Sequence, residues 1–241
     1  MWTYLLLFLS VISILSIFVY RIVFVIRGKD LIKDDLKNRP DDLAVVIKKK
    51  VKLSRKQKEE VNTLYKKGAS FLEDGKEDEA IKSFVQALAI DPKHKESMNK
   101  LGVLYMHKQM YSAACAVFKE LCELEENAVY LSHLGLALYN LQEYERALEA
   151  YKKAIMLDYD RSARFVSLCQ VYRALNNNRM ALISLNKALD LEADNIEYMF
   201  LLSEILFEMD QFEEAKDVVR KILFLDPENE EAKRLLRKRR N

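Results

Sequence analysis

The side chains able to do acid–base, nucleophilic or metal chemistry are few here, and their spacing assembles none of it. The chain holds three histidines and three cysteines. A zinc site wants four N, S or O donors, usually delivered as closely spaced pairs. No C-x-x-C pair and no H-E-x-x-H is present. His107 and His133 could approach each other, yet no Cys or carboxylate signature accompanies them, so no metal is expected. Cys115 and Cys122 are seven apart. On one helix that is a rise of about 10 Å, too far for a disulfide. With Cys169 they make three unpaired thiols, which suit a reducing compartment. Five glycines supply no G-x-x-x-x-G-K loop to hold a phosphate. No catalytic residues, no cofactor and no small-molecule substrate are expected, and so no enzyme.

What the chain repeats is shape. Ala80, Ala114, Ala147, Ala181 and Ala215 follow at intervals of 34, 33, 34 and 34. Around them a set of neighbours recurs. Gly68 has Leu64 before it, then Phe71, Ala80, Phe84, Ala87 and Pro92 after it. Matching sets are Met98, Leu101, Gly102, Tyr105, Ala114 and Phe118; then Leu131, Leu134, Gly135, Leu138, Ala147 and Tyr151. Two more follow: Phe165, Leu168, Cys169, Tyr172, Ala181 and Leu185; Met199, Leu202, Ser203, Leu206, Ala215 and Val219. Offsets of three and four put the apolar residues of each segment on one helical face. A small residue (Gly68, Gly102, Gly135, Cys169, Ser203) leaves room for a second helix, with the alanine opposite it. The large residue four after the alanine is expected to fill the wedge to the next unit. Polar stretches at Asp74–Lys76, Lys108–Gln109, Gln142–Glu143, Asn176–Asn178 and Asp210–Gln211 read as turns.

This pattern resembles the tetratricopeptide repeat family, W-x2-L-G-x2-Y, then A-x3-F, then P. The Trp is absent from every unit, and only the first and last keep the Pro. The resemblance implies an all-α solenoid of five helix–turn–helix repeats at about 61–94, 95–127, 128–161, 162–195 and 196–229. A capping helix at 229–240 would complete a domain over 55–241. It also implies that the first helices line a concave groove for a protein partner, a peptide or an amphipathic helix. The groove residues would be Tyr65; Asn99, Val103 and Met106; Ser132, Leu136, Tyr139 and Asn140; Val166, Gln170 and Arg173; Phe200 and Phe207. Met106 and Tyr139 would be its anchors. The fifth unit turns acidic, with Phe200 and Phe207 among Glu197, Glu204 and Glu208. The carboxylate clamp of chaperone-binding members is missing, since Tyr65, Ala69, Lys100, Val129 and His133 stand at its positions. A homo-oligomer contact through the same stripe is a further option.

Trp2 to Tyr20 is a run of nineteen uncharged residues. As a helix it would be roughly 28 Å long, about the hydrocarbon thickness of a bilayer. No basic start and no A-x-A site suggests a cleaved signal peptide. Residues 1–26 are therefore expected to be a transmembrane anchor. Arg21, Arg27, Lys29, Lys33, Lys37 and Arg39 lie on its far side, which places the repeats in the cytoplasm and the N-terminus outside. Residues 27–54 form a charged connector. In it Lys48, Lys49, Lys50 and Lys52 either touch anionic lipid headgroups or are a solvated linker. One basic run without interleaved aromatic residues is too little for nucleic acid. Two functions fit this layout: a membrane-anchored scaffold, or a receptor or assembly component of a protein-import machinery.

Overall fold

The computed structural model describes residues 53–238, and among them the chain is wholly helical. The helices are α1 (Arg55–Glu73), α2 (Glu77–Ile90), α3 (Lys95–His107), α4 (Tyr111–Leu124), α5 (Ala128–Asn140) and α6 (Tyr144–Leu157). They continue as α7 (Ser162–Ala174), α8 (Asn178–Leu191), α9 (Ile196–Glu208), α10 (Phe212–Leu225) and α11 (Glu230–Lys238). Ser54–Asn241 forms one compact unit. Each helix packs chiefly on its chain neighbours, as in a solenoid. Helices α3, α5, α7 and α9 each have 13 residues, and their partners α4, α6, α8 and α10 each have 14. Helix α1 has 19, and its extra residues Arg55 to Glu60 are all exposed.

Local chemistry sets the helix ends. Ser54 and Gln57 close a capping box: the Gln57 N–H donates to Ser54 Oγ at 3.2 Å, and the Ser54 N–H to Gln57 Oε1 at 3.0 Å. Asn127, Asn195 and Asn229 cap α5, α9 and α11. The turn inside each unit has one residue at positive φ: Gly75 (72°), Gln109 (57°), Gln142 (62°), Asn176 (56°) and Asp210 (60°). The next residue's N–H returns to a carbonyl five earlier, as from Lys76 to Phe71 at 2.7 Å and from Glu143 to Leu138 at 2.9 Å. That bond is the Schellman closure of a helix end.

The core is built on the small residues. A Cβ added to Gly68, Gly102 or Gly135 would meet the ring of Phe84, Phe118 or Tyr151 at 2.7, 2.7 and 2.9 Å. The ring expected to wedge against the next unit thus lies on the glycine of its own unit. The five repeat alanines are fully buried, and Ala80, Ala114 and Ala147 share core clusters with these rings. At the far end α11 closes the stack. Ala232 is fully buried with Val219 and Ile222, and Leu235 and Leu236 pack alongside.

Among the described residues no helix is long and apolar enough to cross a membrane. The anchor expected at 1–26 lies outside them, as do Lys48, Lys49, Lys50 and Lys52.

Candidate partner-binding groove

The first helices α3, α5 and α7 touch one another as well as their own partners. Direct contact between alternate helices marks the closely spaced, inner side of a curved stack. On that side the apolar residues most open to solvent are Val103 (37%), Leu136 (40%) and Val129 (47%). Val103 lies on α3 and Val129 and Leu136 lie on α5, so the three exposed apolar side chains sit on adjacent first helices.

Several expected lining residues have another duty. Phe207 is 8% exposed and belongs to the core between units, so its place in the stripe is corrected: inter-unit packing takes it out of the groove surface. Met106 and Tyr139, expected as anchors, are half-buried against core clusters, and the Tyr139 ring lies 5.5 Å from that of Tyr144. Tyr65 is held between Phe84 and His94, with ring centroids at 5.9 and 5.5 Å. Phe200 and Val166 are half-buried on neighbouring clusters. These six help build the wall more than they present themselves to a partner.

The polar positions divide in the same way. Ser132 donates to the Ala128 carbonyl at 2.7 Å and accepts from Arg164 Nε at 3.0 Å. Asn140 caps the Leu136 carbonyl at 2.8 Å. Arg173 reaches from α7 to α9, where it meets Glu208 at 2.5 Å and Glu204 at 3.7 Å. With Tyr139 and Gln170 it borders an open cleft of about 650 Å³. Asn99 contributes a buried Oδ1 that has no donor among the described residues.

Burial pushes the Cys122 and Cys169 thiols up to about 11 and raises that of Cys115, so none is a ready thiolate. His107 lies 3.3 Å from Glu77, whereas His133 stacks on Phe118 at 4.9 Å. The two histidines are thus engaged with different partners. Among the described residues no cluster of His, Cys, Asp and Glu could hold a metal ion.

Sequence reasoning overlooked one periodic feature. Every second helix ends in an acid: Asp91, Glu125, Asp158, Glu192 and Asp226. A negative charge at a helix C-terminus opposes the macrodipole, so each needs donors. Lys95 and Asn127 serve Glu125, Ser162 and Asn195 serve Glu192, and Asn229 serves Asp226. The Lys93 N–H serves Asp91 at 3.1 Å. Asp158 pairs at 2.7 Å with Arg164, a guanidinium almost wholly buried, which holds its carboxyl below the usual range. The signal was an acid recurring at the repeat period.

Family profiles described as tetratricopeptide repeat match residues 65–129, 128–161 and 172–238. Among curated proteins, a human protein O-mannosyl-transferase, TMTC1, is 29% identical over 136 residues, which is 56% of this chain and 15% of the relative. The chain spans no more than 32% of the length of the curated relatives it matches. A crystal structure of MamA superposes with a TM-score of 0.65 at 23% identity, covering 68% of this chain and 91% of that one. YrrB, described as a TPR protein with an unusual peptide-binding site, gives 0.62 at 17% identity, covering 73% and 91%. At these identities the structural likeness establishes the fold.

Proposed function

The chain carries tetratricopeptide repeats, and on that premise we propose that it is a non-catalytic scaffold, tethered to a membrane, that holds a segment of a partner protein in its concave groove. The observation that carries this reading is the solvent-open apolar row Val103, Val129 and Leu136 on touching inner helices. Exposed apolar residues gathered on one concave face are what an extended peptide or an amphipathic helix covers. The peptide-binding site attributed to YrrB supports the same use of the fold. The tether rests on the nineteen uncharged residues Trp2–Tyr20, and the cytoplasmic placement of the repeats on the basic residues that follow them.

One experiment addresses both parts. Membranes carrying the chain are extracted at alkaline pH, and partners are then crosslinked and recovered from the pellet. The chain should stay in the pellet. Val103→Glu with Leu136→Glu should lose the partner recovered by the native chain, because apolar anchors at such sites are worth about 2 kcal/mol each. Both side chains are exposed enough for helicity to survive. Glu120→Lys on α4, outside the groove, should retain the partner. Release of the chain into the supernatant would refute the tether, and undiminished capture by the double variant would refute the groove.

A further inference from the structure

The groove is not electrically uniform along its length. Units one and two mix signs, with Lys66 and Lys100 against Glu73 and Glu96. The third unit is apolar and neutral at Val129 and Leu136. At the fifth, Glu197, Glu204 and Glu208 are exposed, and Arg173 offsets only one of the three charges. A segment that fits must be apolar first and cationic at the end lying over unit five.

The chain contains such a segment. Leu43-Ala44-Val45-Val46-Ile47 is followed by Lys48-Lys49-Lys50-Val51-Lys52. Taking the groove reading above as its basis, we propose that Leu43–Lys52 of a second copy of this chain docks in the groove. Its apolar half lies over Val103 and Leu136, and its lysines meet Glu197, Glu204 and Glu208.

Lengths select a second copy over the same one. Packed helices stand about 8–10 Å apart, so unit five lies roughly 40 Å along the stack from unit one. Lys52 immediately precedes Leu53 and the start of α1. At about 3.5 Å per residue, its own chain gives Lys50 or Lys52 only about 10 Å of reach. Coming from another copy, ten extended residues cover roughly 35 Å. That spans the distance from units two and three to unit five. Charge complementarity sets the direction, since the lysines gain nothing at the mixed-sign end.

The test uses a fluorescent peptide with the sequence of Leu43–Lys52 and the full-length chain in nonionic detergent at low salt, followed by anisotropy. Saturable binding of one peptide per chain is expected. Glu197→Lys with Glu204→Lys should weaken it at least tenfold, whereas Lys66→Glu with Lys100→Glu should not. A peptide with its four lysines placed before the apolar run should also bind at least tenfold more weakly. If the double charge reversal lowers helicity, Glu204→Gln alone should still weaken binding and reduce its salt dependence. Equal affinity for the two peptide orders overturns the proposal, as does indifference to the glutamate variants. Adhesion of the peptide to phosphatidylserine vesicles with no binding to the chain sends the lysines to lipid and overturns it as well. The groove reading fails separately: it stands if Val103→Glu with Leu136→Glu abolishes partner capture while the peptide never binds.

Discussion

At the scale of single residues, the packing between paired helices is a trade of volumes. Where the second helix brings a ring (Phe84, Phe118, Tyr151), the first offers glycine; where it brings Leu185 or Val219, the facing register holds Cys169 or Ser203. Gly102→Leu should therefore cost about 3 kcal/mol in denaturant unfolding, since the Phe118 ring is fully buried and cannot move aside. Gly102→Ser combined with Phe118→Val recreates the pair of unit five. Its loss should be smaller than the sum of the two single losses in a double-mutant cycle. His133 gives a pH effect. Burial on Phe118 lowers its pKa below 6.5. The unfolded chain therefore takes the proton first as pH falls. Stability is full above about 6.5 and drops from there until the lowered folded value is passed. His133→Phe should flatten the melting temperature between pH 7 and 5, and an unchanged slope would show that the ring titrates freely. The small-residue positions were legible in the sequence because they recur. Which ring occupied each gap was not, because spacing along a chain does not say which way a side chain turns. The same limit placed Phe207 in the groove, whereas it packs between units.

At the scale of the element, each unit turns on one left-handed residue. Only the first uses glycine; the others hold Gln109, Gln142, Asn176 and Asp210 there. A side chain in that region costs about 1–2 kcal/mol, less for Asn and Asp. Gln142→Gly should consequently raise stability by about 1 kcal/mol, measured by urea unfolding, and Asn176→Gly should change it less. A loss in Gln142→Gly would show that its side chain supports the turn. The turns were legible from polar runs between apolar stripes, but their handedness was hidden in the glutamines, which carry no left-handed preference. The acids closing the second helices were equally visible. They went unread because an acid at a helix C-terminus looks unfavourable until its donors, such as the buried Arg164, are in view.

At the scale of the whole molecule, the number of units and their order followed directly from the 34-residue interval. The curvature did not, because it depends on small differences in contact between alternate first helices. Stability in such a stack is close to a sum of neighbour terms. Ending the chain at Asp226 removes α11 and uncovers Val219 and Ile222. Hydrogen exchange should then quicken in α9 and α10 while α3 to α6 keep their protection. Uniform quickening along the stack would show one cooperative body instead. Contact chiefly between neighbours also has a mechanical side. The units are joined like springs in series, so a pull applied across the ends divides into a small rotation at every joint, and compliance grows with each unit added. The solenoid can lengthen and recoil under tension while each glycine–ring pair, lying within its own unit, stays closed.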